Sequence, residues 1–572
     1  MAPRGRDKDT PRWAGKGFEY FEDQALSRAR MRLLVLTVFV FLGFTSIGLR
    51  LADISIGAQA NTNGGSISAV NHARHRAEIV DREGRLLARN VDIVSLGADP
   101  REVWDPELSA ESLGPYLNTL SEDTLVRRLA SDRHFVWLER RISPQQHYDI
   151  HNLGLPGMQF VEEQRRVYPH GQSLSHLVGF SNVDGEGIGG LELGLNVLLQ
   201  STDEPVILSV DLRVQHALRD ELSAAMEEFG AMAAAGVVMN VNTGEVLALV
   251  SLPDFDPHAP GESSGDFWLN RVTGGSYELG SVVKPLTIAQ ALDEGLITPD
   301  MIFDVSEPLE VADATINDYH PILEPITAWD VLGESSNIGT VEIAGLIGPE
   351  GQQEFLADLG LFDRLPIEMP GAAHPLVPTN WGPVETATIS FGHGLSMSPL
   401  HLASATAAMV NGGFYVEPTF LRREEGAEIP RRRVISAETS DTMRAMLRYV
   451  VTDGTGGNAD VPGYEVAGKT GTGEKPRPGG GYYRSRLLSS FVAAFPSSDP
   501  EIVVFALLDE PHGTAATGNY ATGGWTVAPA VGRIIQRIAP FAGVMPTDMQ
   551  QRSEMANINS SDGADAVTLP PQ

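Results

Sequence analysis

The chain of 572 residues contains no cysteine. That excludes disulfides, cysteine-ligated zinc, iron–sulfur clusters and thiol catalysis. It is compatible with an oxidising compartment but does not require one. Basic residues are scarce beside acidic ones, 42 Lys and Arg against 74 Asp and Glu, for a formal net charge of -32. A general nucleic-acid binder needs clustered cations against phosphate, so nucleic acid is not expected as a partner. The 14 histidines form no H-E-x-x-H pattern, and no metal site is expected. No internal repeat is found. Apolar residues are plentiful, at 42%. That is too many for a mainly disordered protein, and the length suits roughly two to four domains.

The longest apolar run is Leu33 to Leu49, uncharged and bracketed by Arg32 and Arg50. At ~1.5 Å per residue it spans about 25 Å, short for a transmembrane helix, and arginines at both ends can snorkel to the interfaces. A helix that is apolar all round, with basic residues before it, is hard to place in a soluble core. Ala58-Gln59-Ala60 looks like a signal-peptide cleavage site, but it lies well past the apolar run, and that run is longer than a usual signal core. An uncleaved anchor over 33–53 is expected. Arg28, Arg30 and Arg32 crowd its first edge, and residues 1–32 also hold Arg4, Arg6, Lys8, Arg12 and Lys16. The positive-inside rule puts this flexible tail in the cytoplasm and everything after about residue 53 outside.

Residues 61–68, rich in Asn, Gly and Ser, suit a linker. AEIV and DIVSLGA read as strands, and SAESLGPYLNTL with its sequel reads as helical. ILSVD (207–211) reads as a strand, and VQHALRDELSAAMEEFG as an amphipathic helix. Two apolar runs joined by Asn242-Thr243-Gly244-Glu245 signal a hairpin. Helical stretches dominate from Ser281 to about Asn411. Strands return with YEVAGKTGT, SSFVAAFP and IVVFALLD, and a helix around VAPAVGRIIQRI closes the series. This order predicts an α+β fold, an antiparallel sheet flanked by helices. The polar residues 546–572 are expected to be disordered.

Three short stretches carry candidate chemistry. In YELGSVVKPLT, Ser281 and Lys284 stand three apart, on one face if Ser281 opens a helix. A serine there has backbone donors and a positive dipole beside it, and a partly desolvated lysine can act as its base. The same stretch also fits a plain helix cap. In GESSNIGT, Ser335, Ser336 and Asn337 offer hydroxyls for a proton relay and an amide to hold a substrate; alone, this is also a turn. In VAGKTGTGEK, Lys469, Thr470, Gly471 and Thr472 offer a cation, hydroxyls and close backbone approach. They suit a carboxylate-bearing substrate that adds as an extra strand, and equally the end of a strand before a Gly-rich loop.

Taken in order, S-x-x-K, S-x-N and K-T-G form the signature of penicillin-binding proteins and class A β-lactamases. The chain resembles class B penicillin-binding proteins, the peptidoglycan D,D-transpeptidases, from about residue 73 to 540. EIVDREGRLLA (78–88), RRVYPHG (165–171), GLE (190–192), FGHGLSMSPLHLA (391–403) and DGTGGNA (453–459) add to the resemblance. It implies an elongated pedestal over 54–205 and a transpeptidase domain over 206–545. It also implies the roles. Ser281 attacks the penultimate D-Ala carbonyl of a stem peptide, and Lys284 activates it. Ser335 passes the proton to the leaving amine, with Lys469 nearby, and Asn337 holds a substrate amide. Lys469, Thr470, Gly471 and Thr472 form the carboxylate-binding stretch, and the backbone N–H groups of Ser281 and Thr472 form an oxyanion hole. β-Lactams are inhibitors in this scheme, and no cofactor is needed.

His393, between two glycines, is read as structural. The segment before the catalytic motifs is too short for a glycosyltransferase, which argues against a bifunctional class A enzyme. The short stretch between DFDPH (254–258) and NRVTGG (270–275) looks like the septal branch, with a membrane-embedded septal glycosyltransferase among the expected partners. An elongation-type enzyme, a D,D-carboxypeptidase or β-lactamase, a penicillin-sensing receptor and a non-enzymatic division scaffold are the alternatives. Leu279, where relatives often carry proline, departs from the pattern.

Overall fold

In the computed structural model the described residues are 76–547, without 264 and 313, together with 41, 42 and 45. The expected tail 1–32 and the linker 61–68 lie outside them, as does the anchor 33–53 apart from those three positions and the end segment 546–572 apart from 546 and 547. Among the described residues no helix is long and apolar enough to cross a membrane.

The first half is built on a five-stranded sheet. Strand β1 (Ile79–Val80) pairs with β2 (Leu86–Ala98), which also pairs with β3 (Val136–Ile142) and β4 (Met158–Val167). Helices α1 (Pro106–Leu113), α2 (Glu122–Leu129) and α3 (Pro144–Asn152) contribute Leu113, Leu125, Leu129 and Ile150 to a core shared with Leu96, Ala98 and Ile142. The chain returns to this sheet at β5 (Val206–Ile207), parallel to β1. ILSVD is therefore a strand only at its start, because Asp211 turns to cap the next helix, its side chain accepting from Arg213 N.

Two buried charge clusters tie distant stretches of the chain together. Glu192 is fully buried, and each of its oxygens takes a different guanidinium: Arg76 Nε at 2.6 Å and Arg166 Nε at 2.7 Å. Asp81, also fully buried, accepts from the backbone N–H groups of Glu83 and Arg85 and, at 3.2 Å, from that of Leu212. Glu192 belongs to the GLE stretch, Asp81 to DREG and Arg166 to RRVY. These stretches hold the architecture together.

The second half centres on five antiparallel strands in the order β8 (Ala467–Pro476), β9 (Tyr482–Phe495), β10 (Ile502–Asp509), β6 (Ala233–Asn240), β7 (Val246–Leu252). Asn242 to Glu245 form the connection between β6 and β7, as the hairpin signal predicts. Period-two alternation splits the central strands between two cores. Val238, Val504 and Ala506 pack with Leu218 and Leu222 of α4 (Leu212–Glu228) and with Ile534 and Ile535 of the closing helix, Ala528–Ile538. Val237, Met239, Phe505 and Leu507 face the helical block instead. That block includes α5 (Lys284–Asp293), α6 (Ala328–Gly333), α7 (Asn337–Asp358), α8 (Pro383–Ser390), α9 (Pro399–Val410) and α10 (Ala437–Thr452). Every residue of α9 is buried, the polar His401, Ser404 and Thr406 included. Strand β8 is an edge of the sheet, so one side of its backbone is free of strand partners.

Candidate active site

Ser281 does not open an α-helix. It lies in a 3-10 turn, Gly280–Val283, and α5 begins at Lys284 with Pro285 in its first turn. Proline tolerates that position because first-turn N–H groups have no helical acceptor. The turn is wedged between two backbones that leave no room for side chains. Gly280 has φ +65°, and a Cβ there would sit 2.8 Å from the Thr472 carbonyl oxygen. Gly392 has φ +91°, and its Cβ would sit 2.1 Å from the Gly280 oxygen. Gly471 would meet Ser490 Oγ at 2.3 Å, Val282 Cγ1 at 2.8 Å and the Leu279 oxygen at 2.9 Å. The glycines of K-T-G and F-G-H-G thus clamp the serine turn onto β8. Leu279 is fully buried under it.

Lys284 is completely buried and points to Ser335. Its Nζ donates to the Ser335 carbonyl and, at 3.1 Å, lies within reach of Ser335 Oγ. Ser335 has φ +63°, a left-handed conformation uncommon for serine. Ser336 is buried and caps α7 by accepting from Gly339 N at 3.0 Å. Asn337 starts α7, and its Nδ2 donates to the Asn317 carbonyl at 2.9 Å. Among the described residues no hydrogen bond joins Ser281 Oγ to either lysine.

Lys469 is also completely buried, on β8, within 3.3 Å of the Thr470 carbonyl and hydroxyl oxygens. Burial lowers its pKa to about 7. Burial first, and then repulsion from Lys469, push Lys284 well below the usual lysine range, against the pull of Asp318. Two amines in one dry cleft cannot both stay charged without loss, so a neutral amine is available near neutral pH. Thr470 Oγ1 lies 3.0 Å from Thr455 Oγ1, and Thr472 Oγ1 accepts from Gly523 N at 3.2 Å.

The structure therefore brings Lys284 to Ser335, sets Lys469 close enough to affect it, and lays the Ser281 turn against Gly471 and Thr472. The Asn337 side-chain amide is engaged by the Asn317 carbonyl. His393 is half-buried with its ring edge-on to Tyr482 at 5.2 Å, and its Nδ1 has no partner. Three contributors have no assigned role in the sequence reading. Thr455 lies inside DGTGGNA, whose order is visible but whose contact is not. Gly523 opens a single helical turn, Gly523–Thr526, and Asp318 lies in an irregular stretch; neither has periodicity or motif to mark it.

Residues 234–535 match the model of the penicillin binding protein transpeptidase domain, and residues 72–211 match the penicillin-binding protein dimerisation domain. A Caulobacter vibrioides protein named "Probable peptidoglycan D,D-transpeptidase FtsI" is 39% identical over 544 residues, covering 93% of this chain and 91% of that one. The peptidoglycan D,D-transpeptidase FtsI of Escherichia coli K12 is 30% identical over 507 residues, covering 82% and 84%. Penicillin binding protein 3 of Mycobacterium tuberculosis, in a crystal structure with aztreonam, superposes with a TM-score of 0.66 at 25% identity, covering 82% of this chain and 97% of that one. Similarity that runs through both halves, over a cleft of this chemistry, places the chain in the family of class B penicillin-binding proteins, serine transpeptidases that carry a dimerisation domain ahead of the catalytic one.

Proposed function

We propose that this D,D-transpeptidase cross-links peptidoglycan stem peptides through a Ser281 acyl-enzyme at the division septum. The observation that carries the reading is the fully buried Lys284, three residues after Ser281 and hydrogen-bonded to Ser335. A donor stem peptide adds along the free edge of β8, with its terminal carboxylate at Lys469, Thr470 and Thr472. Ser281 Oγ attacks the penultimate D-Ala carbonyl carbon, and neutral Lys284 takes the hydroxyl proton. The tetrahedral oxyanion is held by the N–H groups of Ser281 and Thr472. The proton passes through Ser335 to the departing nitrogen, the C–N bond breaks, and D-Ala leaves. Asn337 holds a stem-peptide amide once it releases Asn317. An acceptor amine then attacks the ester carbon, its proton returns to the relay, Ser281 Oγ leaves, and the new amide is the cross-link.

A β-lactam takes the donor's place and leaves Ser281 acylated. The test is a fluorescent penicillin on the purified protein, with mass spectrometry of the digest. One adduct is expected, on the peptide that contains Ser281, and Ser281→Ala should abolish it, because no other group there can form the ester. An adduct on any other peptide overturns the assignment.

The wider reading places residues 1–32 in the cytoplasm, an anchor over 33–53, a pedestal over 54–205, the transpeptidase domain over 206–545 and a disordered end over 546–572. The body then works outside the cytoplasmic membrane with membrane-embedded division proteins, among them a septal glycosyltransferase. The short 254–275 region and the likeness to FtsI proteins support the septal branch. A tagged protein should form a midcell band in growing cells; a dispersed lateral pattern would move it to the elongation branch.

A further inference from the structure

Asp318 stands in the irregular stretch between two short strands, Ala314–Ile316 and Ile326–Thr327. Its half-buried carboxylate gathers three donors at the start of α7. Oδ2 accepts from Ser336 Oγ at 2.8 Å, and Oδ1 accepts from Ile338 N at 3.1 Å and from Asn337 N. Its neighbour Asn317 supplies the carbonyl that holds the Asn337 side chain. An anion suits this place, because the first N–H groups of a helix lack partners and carry its positive end.

The contact matters because of what lies one residue before it. Ser335 keeps its left-handed backbone while its carbonyl and hydroxyl face Lys284 Nζ. Such a conformation persists only where the surroundings over-determine it. Lys284 holds one side of the turn and Asp318 holds the other. We infer that Asp318 is a positioning residue for acylation: its negatively charged carboxylate fixes the Ser335–Asn337 turn in the shape that meets Lys284. The inference rests on the reading of Lys284 as the base that activates Ser281.

That charge has a consequence that simple scaffolding lacks. Lys469 and burial both favour the neutral form of Lys284, and Asp318 opposes them. Lys469, with its pKa lowered to about 7, and His393 are the other titratable groups coupled to Lys284. Removing the Asp318 charge should let Lys284 lose its proton at lower pH.

The experiment measures the second-order rate of acylation by a fluorescent penicillin against pH, on the full-length protein in detergent. In the wild type the rate should rise with pH along an acid limb as Lys284 deprotonates. Asp318→Asn keeps the side-chain size and one acceptor oxygen but drops the charge. Its limb should move to lower pH by roughly half a pH unit or more. The same shift should appear in a His393→Gln background, which removes one nearby titration and leaves only that of Lys469 beside Lys284. Asp318→Ala, which loses the cap as well, should also drop the plateau by about tenfold or more. If Asp318→Ala does not fold, Asp318→Asn decides. A limb that stays in place in Asp318→Asn, or an Asp318→Ala plateau within twofold of wild type, overturns the inference and leaves Lys284 as the base. A wild-type profile without an acid limb removes the base assignment and this inference with it.

Discussion

Lys284 and Lys469 have no exposed surface and repel each other, so the cleft is held in a state that folding alone would not choose. Lys284→Arg should lose acylation across neutral pH, because guanidinium does not give up its proton; near-normal labelling would remove Lys284 as the base. Lys284→Met should lose acylation too, yet gain up to about 2 kcal/mol of stability, since a methionine fits the dry site without a charge to strand. The sign of its pH dependence is fixed. The folded pKa of Lys284 lies below that of the unfolded chain, so the unfolded state binds more protons and wild-type stability rises with pH up to the ordinary lysine range. The gain from Lys284→Met should therefore be larger at pH 6 than at pH 10 in urea unfolding, and a gain that grows with pH would contradict the buried-amine account. The candidate site is legible in the sequence where a motif names both residue and spacing, as for Ser281, Lys284, Ser335, Asn337 and Lys469. Asp318 is not, because its partners lie 18 to 20 residues away, across one short strand and α6, and no period links them.

Elements show the same division between pattern and contact. The central strands read in the sequence as continuous apolar runs, and the structure buries both their faces, one against each core. The helix opening at Ser281 is expected but starts at Lys284, because Gly280 must take a left-handed turn to pass under Thr472 before the chain can coil. Glycines separate the two kinds of site. Gly471→Ala puts a methyl group into Ser490, Val282 and the Leu279 backbone, and overpacking of this kind costs about 1–3 kcal/mol. Because Val282 and Leu279 flank Ser281, acylation should fall further than stability does. Gly345, in the helical turn before α7 breaks at Gly348, has open space where a Cβ would go and no left-handed φ. Gly345→Ala should stabilise by about 0.5–1 kcal/mol with acylation unchanged. Thermal melts and penicillin labelling of the two variants check both statements, and equal tolerance at the two positions would rule out the clamp.

On the scale of the whole molecule, charge is unevenly distributed. The chain is strongly acidic at -32, yet its first 32 residues hold eight Lys and Arg, three of them at Arg28, Arg30 and Arg32 against the apolar run. Cationic residues near the end of a spanning segment resist translocation, whereas acidic bodies cross largely regardless of charge. A body that acts on stem peptides is of use only where stem peptides are, outside the membrane. A reporter enzyme that works only outside the cytoplasm, fused after residue 60, should therefore be active, and one that works only inside should be silent. Replacing Arg28, Arg30 and Arg32 with Glu should lower the fraction correctly oriented. Two results would redirect the reading: activity of the inside reporter would invert the topology, and recovery of a shortened soluble form cut after Ala60 would make the apolar run a cleaved signal.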